Sequence, residues 1–225
     1  MLIGGLQKTS FLDYPDKISA IIFTLGCNFR CGYCHNPELI NAMTAKYSEE
    51  EIFEFLNRRK GRIDGVVITG GEPCIQKDLV EFIKKVKDLG FLVKLDTNGC
   101  FPEILQKSIA YVDYIAMDIK APLDNYSKIV NVNVDEENIK KSINLIINSG
   151  IEYEFRTTVV RSMLSKNDFD KIGNLIFGAK RYYLQKFVSS KILDEKLSKD
   201  SSYTDEEFSE IVFNLKKKIE FVEVR

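Results

Sequence analysis

The chain has 225 residues, of which 44% are hydrophobic and 29% charged, and its formal net charge at pH 7 is -1. This length and composition are typical of one globular domain with a well-formed core. The balanced charge argues against a generic nucleic-acid surface, and no apolar run approaches the ~18 residues that a membrane span needs. We therefore expect neither a nucleic acid nor a membrane as partner.

The first 17 residues contain turn-forming residues and few periodic apolar positions, so they predict an extended or turning lead-in. Apolar runs predict strands at residues 18–25, 65–69, 91–96, 114–119, 153–160 and 181–187. Helical periodicity with start and stop signals predicts helices at residues 48–59, 77–89, 102–108, 135–148, 165–177 and 204–217. Capping boxes begin the first of them at Ser48 and the last at Thr204, and Ile52, Phe53 and Leu56 lie on the inner side of the first. Residues 121–134 carry no regular pattern, and residues 189–203 form a polar loop.

Strands that alternate with helices in this way imply right-handed crossovers and a parallel sheet. We therefore predict a single α/β domain over residues 1–225, built as a partial (β/α)6 TIM-like barrel. Residues 1–17 would form its lead-in and residues 18–187 its barrel core. Residues 188–225 would add a C-terminal loop, a helix and a short strand.

A group of closely spaced cysteines follows the first predicted strand. Three of the five cysteines lie within eight positions, at the spacing C-x3-C-x2-C: Cys27, Cys31 and Cys34. Glycines at positions 26 and 32 let the loop fold tightly enough to aim all three sulfurs at one point. Such density predicts a metal site.

Three interpretations of these cysteines compete. An odd number of cysteines and no evident signal peptide disfavour disulfides and indicate a reducing, cytoplasmic setting. A zinc site would need a fourth ligand, for which His35, adjacent to Cys34, is awkwardly placed. An iron–sulfur cubane with three thiolate ligands and one open iron fits best. We interpret His35 as a residue that orients the loop through a hydrogen bond.

Other polar residues cluster where predicted strands end, which is where parallel α/β barrels gather reactive groups. Gly70, Gly71, Glu72 and Pro73 follow the second strand, Asp96, Thr97, Asn98 and Gly99 close the third, and Asp118 and Lys120 close the fourth. Asp118 and Lys120 are two apart, so they share one side of their strand and either pair together or serve a ligand.

The next two strands carry further polar candidates. Arg156 on the fifth strand could form a fork on a carboxylate or a salt bridge between strands. Gln185 on the sixth could donate to a ribose hydroxyl or a bound peptide. We interpret the isolated Cys74 and Cys100 as small core or rim residues.

The cysteine spacing, with the aromatic Tyr33 before the last cysteine, resembles the signature of the radical S-adenosylmethionine (radical SAM) superfamily. The string CNFRCGYCHNP at residues 27–37 is similar to that of the glycyl-radical-enzyme activating enzymes. With GLQKTSFLDYP, GGEP, DTNG and MDIK, it most resembles activators of anaerobic ribonucleoside-triphosphate reductase over nearly all of residues 4–187.

This resemblance implies a 4Fe-4S cluster on Cys27, Cys31 and Cys34, whose open iron binds SAM. It implies that SAM is lined by Tyr33, Gly70, Gly71, Glu72, Pro73, Asp96, Thr97, Asn98, Asp118, Lys120 and Arg156. Asp96 and Asp118 would be able to hold a monovalent cation. Asp13 would lie near the bound protein substrate, and Gln185 is a further candidate for contact with it.

The implied reaction is one-electron cleavage of SAM, which yields a 5′-deoxyadenosyl radical that takes hydrogen from a glycine of a partner glycyl-radical enzyme. Flavodoxin or ferredoxin would be the electron donor, and no catalytic side chain is needed beyond the cluster and SAM. The lack of a Ser/His/Asp arrangement agrees with this chemistry. Two alternatives stay open: a radical SAM enzyme acting on a small molecule, similar to 7-carboxy-7-deazaguanine synthase, and a non-enzymatic iron–sulfur or zinc binding protein.

Overall fold

The computed structural model describes residues 1–42 and 44–225. The strands are β1 (Ile3–Ser10), β2 (Ser19–Thr24), β3 (Gly65–Gly70), β4 (Leu92–Thr97), β5 (Tyr114–Asp118), β6 (Glu152–Val159), β7 (Arg181–Lys186) and β8 (Phe221–Val224). The helices are α1 (Pro37–Ile40), α2 (Glu49–Arg59), α3 (Leu79–Asp88), α4 (Pro102–Ile109), α5 (Tyr126–Val130), α6 (Glu136–Ile147), α7 (Lys166–Leu175) and α8 (Asp205–Leu215). Short 3-10 turns cover Pro73–Ile75, Leu123–Asn125 and Glu195–Lys199.

The packing of the chain defines two units. Unit 1 comprises Met1–Asn28, Glu38–Thr97 and Phe101–Ile115, and unit 2 comprises Phe29–Pro37, Asn98–Cys100 and Ala116–Arg225. The prediction of a single domain stays a prediction. Within the described ranges, no helix is both long and apolar enough to cross a bilayer.

The sheet of unit 1 begins with a strand that the sequence did not predict. The predicted lead-in contains β1, which pairs antiparallel with β2 from Ile3 opposite Thr24 to Ser10 opposite Ser19. The glycines at 4 and 5 and the half-exposed middle of this edge strand obscure the alternation that would identify it. On its other side β2 pairs parallel with β3, and β3 pairs parallel with β4, as predicted.

Apolar side chains on these strands and on α2 and α3 build the core of unit 1. The predicted capping box begins α2: the Glu51 N–H donates to the Ser48 hydroxyl, and the Ser48 N–H donates to the Glu51 carboxylate. Helix α2 buries Ile52, Phe55 and Leu56, while the half-buried ring of Phe53 lies 5.1 Å from that of Phe82. Phe53, predicted on the inner side, is thus less buried than Phe55.

The register of the parallel strands determines which loops of unit 1 share an edge. Thr24 pairs with Gly70 at the ends of β2 and β3, and Thr97 ends β4. The segments that follow these three residues therefore all begin at the same edge of the sheet, the one formed by the carboxyl ends of the strands. The loop that contains Asp13 joins β1 to the beginning of β2, at the opposite edge.

Unit 2 contains the parallel strands β6, β7 and β8 with helices α5 to α8. The segment 121–134, predicted irregular, contains a 3-10 turn and α5, because Tyr126, Ile129 and Val130 are buried at helical spacing. The polar loop 189–203 likewise contains the turn Glu195–Lys199. The predicted capping box at Thr204 begins α8.

Candidate functional site

In unit 1, the segment after β3 is tied by the backbone to the start of the cysteine loop. The Glu72 N–H donates to the Gly26 carbonyl at 2.8 Å. A Cβ added to Gly71 would lie 1.9 Å from the same carbonyl oxygen, so this close approach requires glycine. Cys27 follows directly, and its N–H donates to the Ile40 carbonyl at 3.3 Å. The position of Cys27 is therefore set by protein hydrogen bonds.

The carboxylate of Glu72 is buried and held by two donors. The residue is 1% exposed, and its Oε1 accepts from the Thr97 hydroxyl at 2.7 Å and from the Cys74 N–H at 2.9 Å. Glu72 caps the 3-10 turn that begins at Pro73, while Gly70 ends β3 with φ +111°. Two donors restrict the carboxylate to one orientation, so it is a fixed acceptor.

Asp96 pairs with a buried lysine that the sequence analysis did not single out. The Lys94 ammonium donates to Asp96 Oδ1 at 2.6 Å, and the Lys94 side chain is 2% exposed. The two residues are two apart on β4, so the alternation of side chains that we applied to Asp118 and Lys120 would have found this pair.

In unit 2, Cys31 and Cys34 lie in one turn of the loop. The Cys34 N–H donates to the Cys31 carbonyl at 3.0 Å. Cys31 is buried and Cys34 half-buried. Burial raises the pKa of the Cys31 thiol, while the nearby Lys120 ammonium acts in the opposite direction. A metal that binds Cys31 must therefore displace a firmly held proton.

Tyr33 lies between these cysteines with its hydroxyl buried. The hydroxyl is near Cys31, but it has no well-formed hydrogen bond within residues 1–42 and 44–225. Burial, together with Cys31 and Asp118, raises the pKa of Tyr33 well above its ordinary value. The Lys120 ammonium lies 5.9 Å from the centre of the Tyr33 ring. A neutral aromatic side chain and a cation therefore lie near the Cys31 thiol.

The Asp118 carboxylate accepts hydrogen bonds from two cationic side chains, one of which, Lys120, was predicted to share its side of the strand. Its Oδ1 accepts from Arg156 Nε at 3.0 Å, and its Oδ2 accepts from Lys120 Nζ at 3.1 Å. Burial acts to raise the pKa of the Asp118 carboxyl, but Arg156 and Lys120 outweigh it and hold that pKa at about 2. Burial acts to lower the pKa of Lys120, and Asp118 raises it above its ordinary value. All three groups therefore stay charged at neutral pH.

Tyr126, which was not predicted as a site residue, braces this group from the segment predicted to be irregular. Its hydroxyl accepts from the Lys120 N–H and donates to the Asp118 carbonyl, both at 3.3 Å. Its ring lies edge-on to Phe29 of the cysteine loop, with centroids 6.2 Å apart. The Arg30 N–H donates to the Val130 carbonyl of the same helix, α5, at 2.9 Å. Helix α5 thus connects the cysteine loop with Asp118 and Lys120.

The remaining predicted residues have other surroundings and contacts. Asp13 is exposed and accepts a hydrogen bond from Ser10, at the edge of unit 1 opposite to Glu72. The half-buried Gln185 pairs with Thr158 across β7 and β6. His35 is exposed, and its ring lies 6.2 Å from that of Phe187.

Asn98 is buried, and its side-chain oxygen accepts from the Cys100 N–H at 3.0 Å. Glu154, on the same strand as Arg156, is buried near both Arg156 and Arg225, at 3.9 and 3.4 Å. These contacts keep Asn98 and Glu154 in defined positions. The roles predicted for Asn98, Asp13 and Gln185 stay predictions.

The donor chemistry of the loop suits an iron–sulfur cluster, since three cysteines can supply thiolates and two of them share a turn. Across residues 1–42 and 44–225, no set of three or more Cys, His, Asp or Glu side chains is gathered as a metal site. The three-cysteine ligation is therefore taken up as a proposal below.

Comparison with known proteins identifies the family. The sequence model of the radical SAM superfamily matches residues 21–176. A protein of Methanocaldococcus jannaschii, named as a glycyl-radical enzyme activating enzyme, is 35% identical over 100% of this chain and 95% of its own length. The chain belongs to the glycyl-radical enzyme activating enzymes of the radical SAM superfamily. The predicted family and the prediction of an enzyme are thereby confirmed.

A more distant relative agrees with this family, and a solved structure has a similar fold. The pyruvate formate-lyase-activating enzyme of Clostridium pasteurianum is 28% identical over 77% of this chain and 75% of its own. A domain of the corresponding enzyme of Bacteroides vulgatus has a similar structure, with a TM-score of 0.57 and 16% identity over 72% of this chain and 99% of that one.

The predicted α/β fold of the radical SAM type, with a mostly parallel sheet, is confirmed, and a partial TIM-like barrel is consistent with these neighbours. Radical SAM membership implies a 4Fe-4S cluster and SAM, and activating enzymes of this group act on a protein substrate.

Proposed function

We propose that Cys27, Cys31 and Cys34 hold a 4Fe-4S cluster, and that the enzyme installs a glycyl radical on anaerobic ribonucleoside-triphosphate reductase. The observation that carries the proposal is the position of Lys120 in unit 2. Its ammonium pairs with Asp118 and lies over the ring of Tyr33, the residue between Cys31 and Cys34 in the cysteine turn. Charged groups suited to the amino acid part of SAM therefore adjoin Cys31, one of the proposed iron ligands.

Each residue proposed to bind SAM would have its own task. Lys120 and Arg156 offer N–H donors to a carboxylate, and Glu72 offers a fixed acceptor to an ammonium group. Tyr33 shields the thiols from water. When bound, the cluster and SAM supply the one-electron radical chemistry, while the protein contributes binding, orientation and exclusion of water. An external donor such as flavodoxin or ferredoxin and a cytoplasmic location belong to the same proposal.

The choice of the reductase rests on the strings GLQKTSFLDYP, YCHNP, GGEP, DTNG and MDIK in this sequence. The relative from Clostridium pasteurianum makes pyruvate formate-lyase the second candidate partner. Both candidates are protein substrates, so one experiment can compare them.

The test uses the protein reconstituted anaerobically with iron and sulfide. We expect reductant-dependent formation of 5′-deoxyadenosine from SAM, and the doublet of a glycyl radical in the electron paramagnetic resonance spectrum after mixing with the reductase. A doublet with pyruvate formate-lyase alone would contradict the choice of partner. Turnover of a small substrate with no protein radical would contradict the activating role.

Cysteine variants test the ligands. Replacing Cys27, Cys31 or Cys34 with alanine should abolish the stable cluster, whereas Cys100→Ala should retain the iron content of the wild type. Full iron and activity in any one of the first three variants would refute the ligand assignment.

A further inference from the structure

Lys94 is a buried cation in unit 1 whose carboxylate partner, Asp96, lies on its own strand. Its side chain is 2% exposed, and its ammonium lies 2.6 Å from Asp96 Oδ1 and 5.9 Å from the centre of the Tyr114 ring. In the register of the sheet Lys94 stands next to Val67, which packs with Tyr114 in an apolar cluster. An unpaired charge buried in such surroundings would destabilise the fold, so the Lys94 ammonium must stay paired with the Asp96 carboxylate.

This pair bears on the monovalent cation that the family resemblance led us to expect at Asp96 and Asp118. In each unit the carboxylate already has a side-chain cation: Lys94 at Asp96, and Lys120 and Arg156 at Asp118. A potassium or sodium ion at Asp96 would stand next to the Lys94 ammonium in a medium that screens charge poorly. The residues present therefore do not fit an added monovalent cation.

We propose that Lys94 is a positioning residue that takes the place of this ion. Its ammonium neutralises the Asp96 carboxylate and fixes its orientation, so the enzyme requires no added potassium or sodium. The effect on catalysis rests on the proposed function, because Asp96 matters to the reaction only if it belongs to the SAM pocket. The charge pair itself can be tested without cluster or SAM.

The first experiment follows thermal unfolding of the cluster-free protein in KCl, NH4Cl and choline chloride at equal ionic strength. The wild type should have the same midpoint in all three salts. In Lys94→Ala the ammonium is gone and space is left for an ion, so the midpoint should be lower in choline and rise with the concentration of potassium or ammonium. Lys87→Ala is the matched control, because it breaks the part-exposed pair with Asp113 in the same unit, 2.7 Å apart.

Two outcomes of this experiment would overturn the proposal: a wild-type midpoint that depends on potassium, or a folded Lys94→Ala protein with no more response to these cations than the control. If Lys94→Ala does not fold in choline, the double variant Lys94→Ala/Asp96→Asn decides. It carries no uncompensated carboxylate and should fold equally in all three salts. Failure of this variant to fold in any salt would show that the volume of the lysine, and not its charge, is required.

The second experiment measures reductive cleavage of SAM by the reconstituted enzyme. The wild-type rate should be equal in potassium and choline within about twofold, a difference of about 0.4 kcal/mol in barrier. Lys94→Ala should be about tenfold slower in choline and recover when ammonium is added, which a merely structural lysine would not explain. If the wild type forms no 5′-deoxyadenosine in any salt, the proposed function fails, while the unfolding experiment still decides the role of Lys94.

Discussion

Replacing Asp118 with asparagine removes one charge from unit 2 at nearly constant size. The carboxyl has a pKa of about 2 in the folded protein, against an ordinary value of 3.8. At about 1.36 kcal/mol per pH unit, this difference corresponds to roughly 2 to 3 kcal/mol of stability at neutral pH. The side chain is 25% exposed, so water reduces the effect. We expect Asp118→Asn to lose about 2 kcal/mol of unfolding free energy at pH 7.

The dependence on pH separates this electrostatic effect from a loss of packing. A carboxyl whose pKa is lowered on folding stabilises the protein above its unfolded pKa, and this contribution disappears as the pH falls through the folded value. The difference between wild type and Asp118→Asn should therefore be constant above about pH 5 and shrink between about pH 4 and pH 2.

Urea unfolding of the cluster-free protein, followed by circular dichroism, measures both quantities. With a slope of about 2–3 kcal/mol per molar urea, the midpoint of the variant should fall by somewhat less than about 1 M at pH 7. Glu152→Gln is the control, because it breaks an exposed pair with Arg181 in the same unit and should cost at most about 1 kcal/mol. A loss in Asp118→Asn no larger than that of the control, or one that persists undiminished at pH 2, would refute the reasoning.

Two further substitutions test the contacts that hold the loops. Gly71→Ala should cost about 2–3 kcal/mol, because its Cβ would lie 1.9 Å from the Gly26 carbonyl oxygen. Gly5→Ala, whose nearest neighbour is the side chain of Phe23 at 3.2 Å, should cost clearly less in the same urea titration, and equal losses would count against a steric cause. Tyr126→Phe should cost about 1 kcal/mol and speed hydrogen exchange at the Lys120 amide, which loses its acceptor; unchanged protection of that amide would show that Tyr126 does not brace Lys120.

Strand and helix positions followed from the sequence because apolar periodicity and capping act locally. The predicted strand at residues 65–69 and the capping box at Ser48 both agree with the structure within a residue or so. The edge strand β1 was missed because its glycines and half-exposed middle obscure the alternation, and helix α5 was missed because its burial depends on residues distant in the chain. Tyr126 is buried because it packs against Phe29 and the end of β5. A helix of five residues is too short for its periodicity to predict this burial.

In the candidate site, too, contacts between neighbours in sequence were predictable, and contacts between residues distant in the chain were not. Alternation along a strand predicted that Asp118 and Lys120 share a side, and the structure places their charged atoms 3.1 Å apart. The same alternation places Lys94 and Asp96 on one side of β4, but a lone lysine in an apolar run indicates only a strand position and not a charge pair. The hydrogen bond from Thr97 to Glu72 joins residues 25 apart in sequence, so only the folded chain reveals it.

The anchoring of the cysteine loop in unit 2 has a consequence for the life of the enzyme before iron arrives. The Arg30 carbonyl accepts from the Asn131 side chain at 2.9 Å, and the Gly32 carbonyl accepts from the Asp194 N–H at 2.8 Å. Because protein atoms hold this backbone, newly made polypeptide can take its shape while the metal is scarce. If the proposed cluster ligation is correct, we expect the apoprotein loop to be ordered before iron binds, so that access to the thiols rather than folding would limit delivery of the cluster.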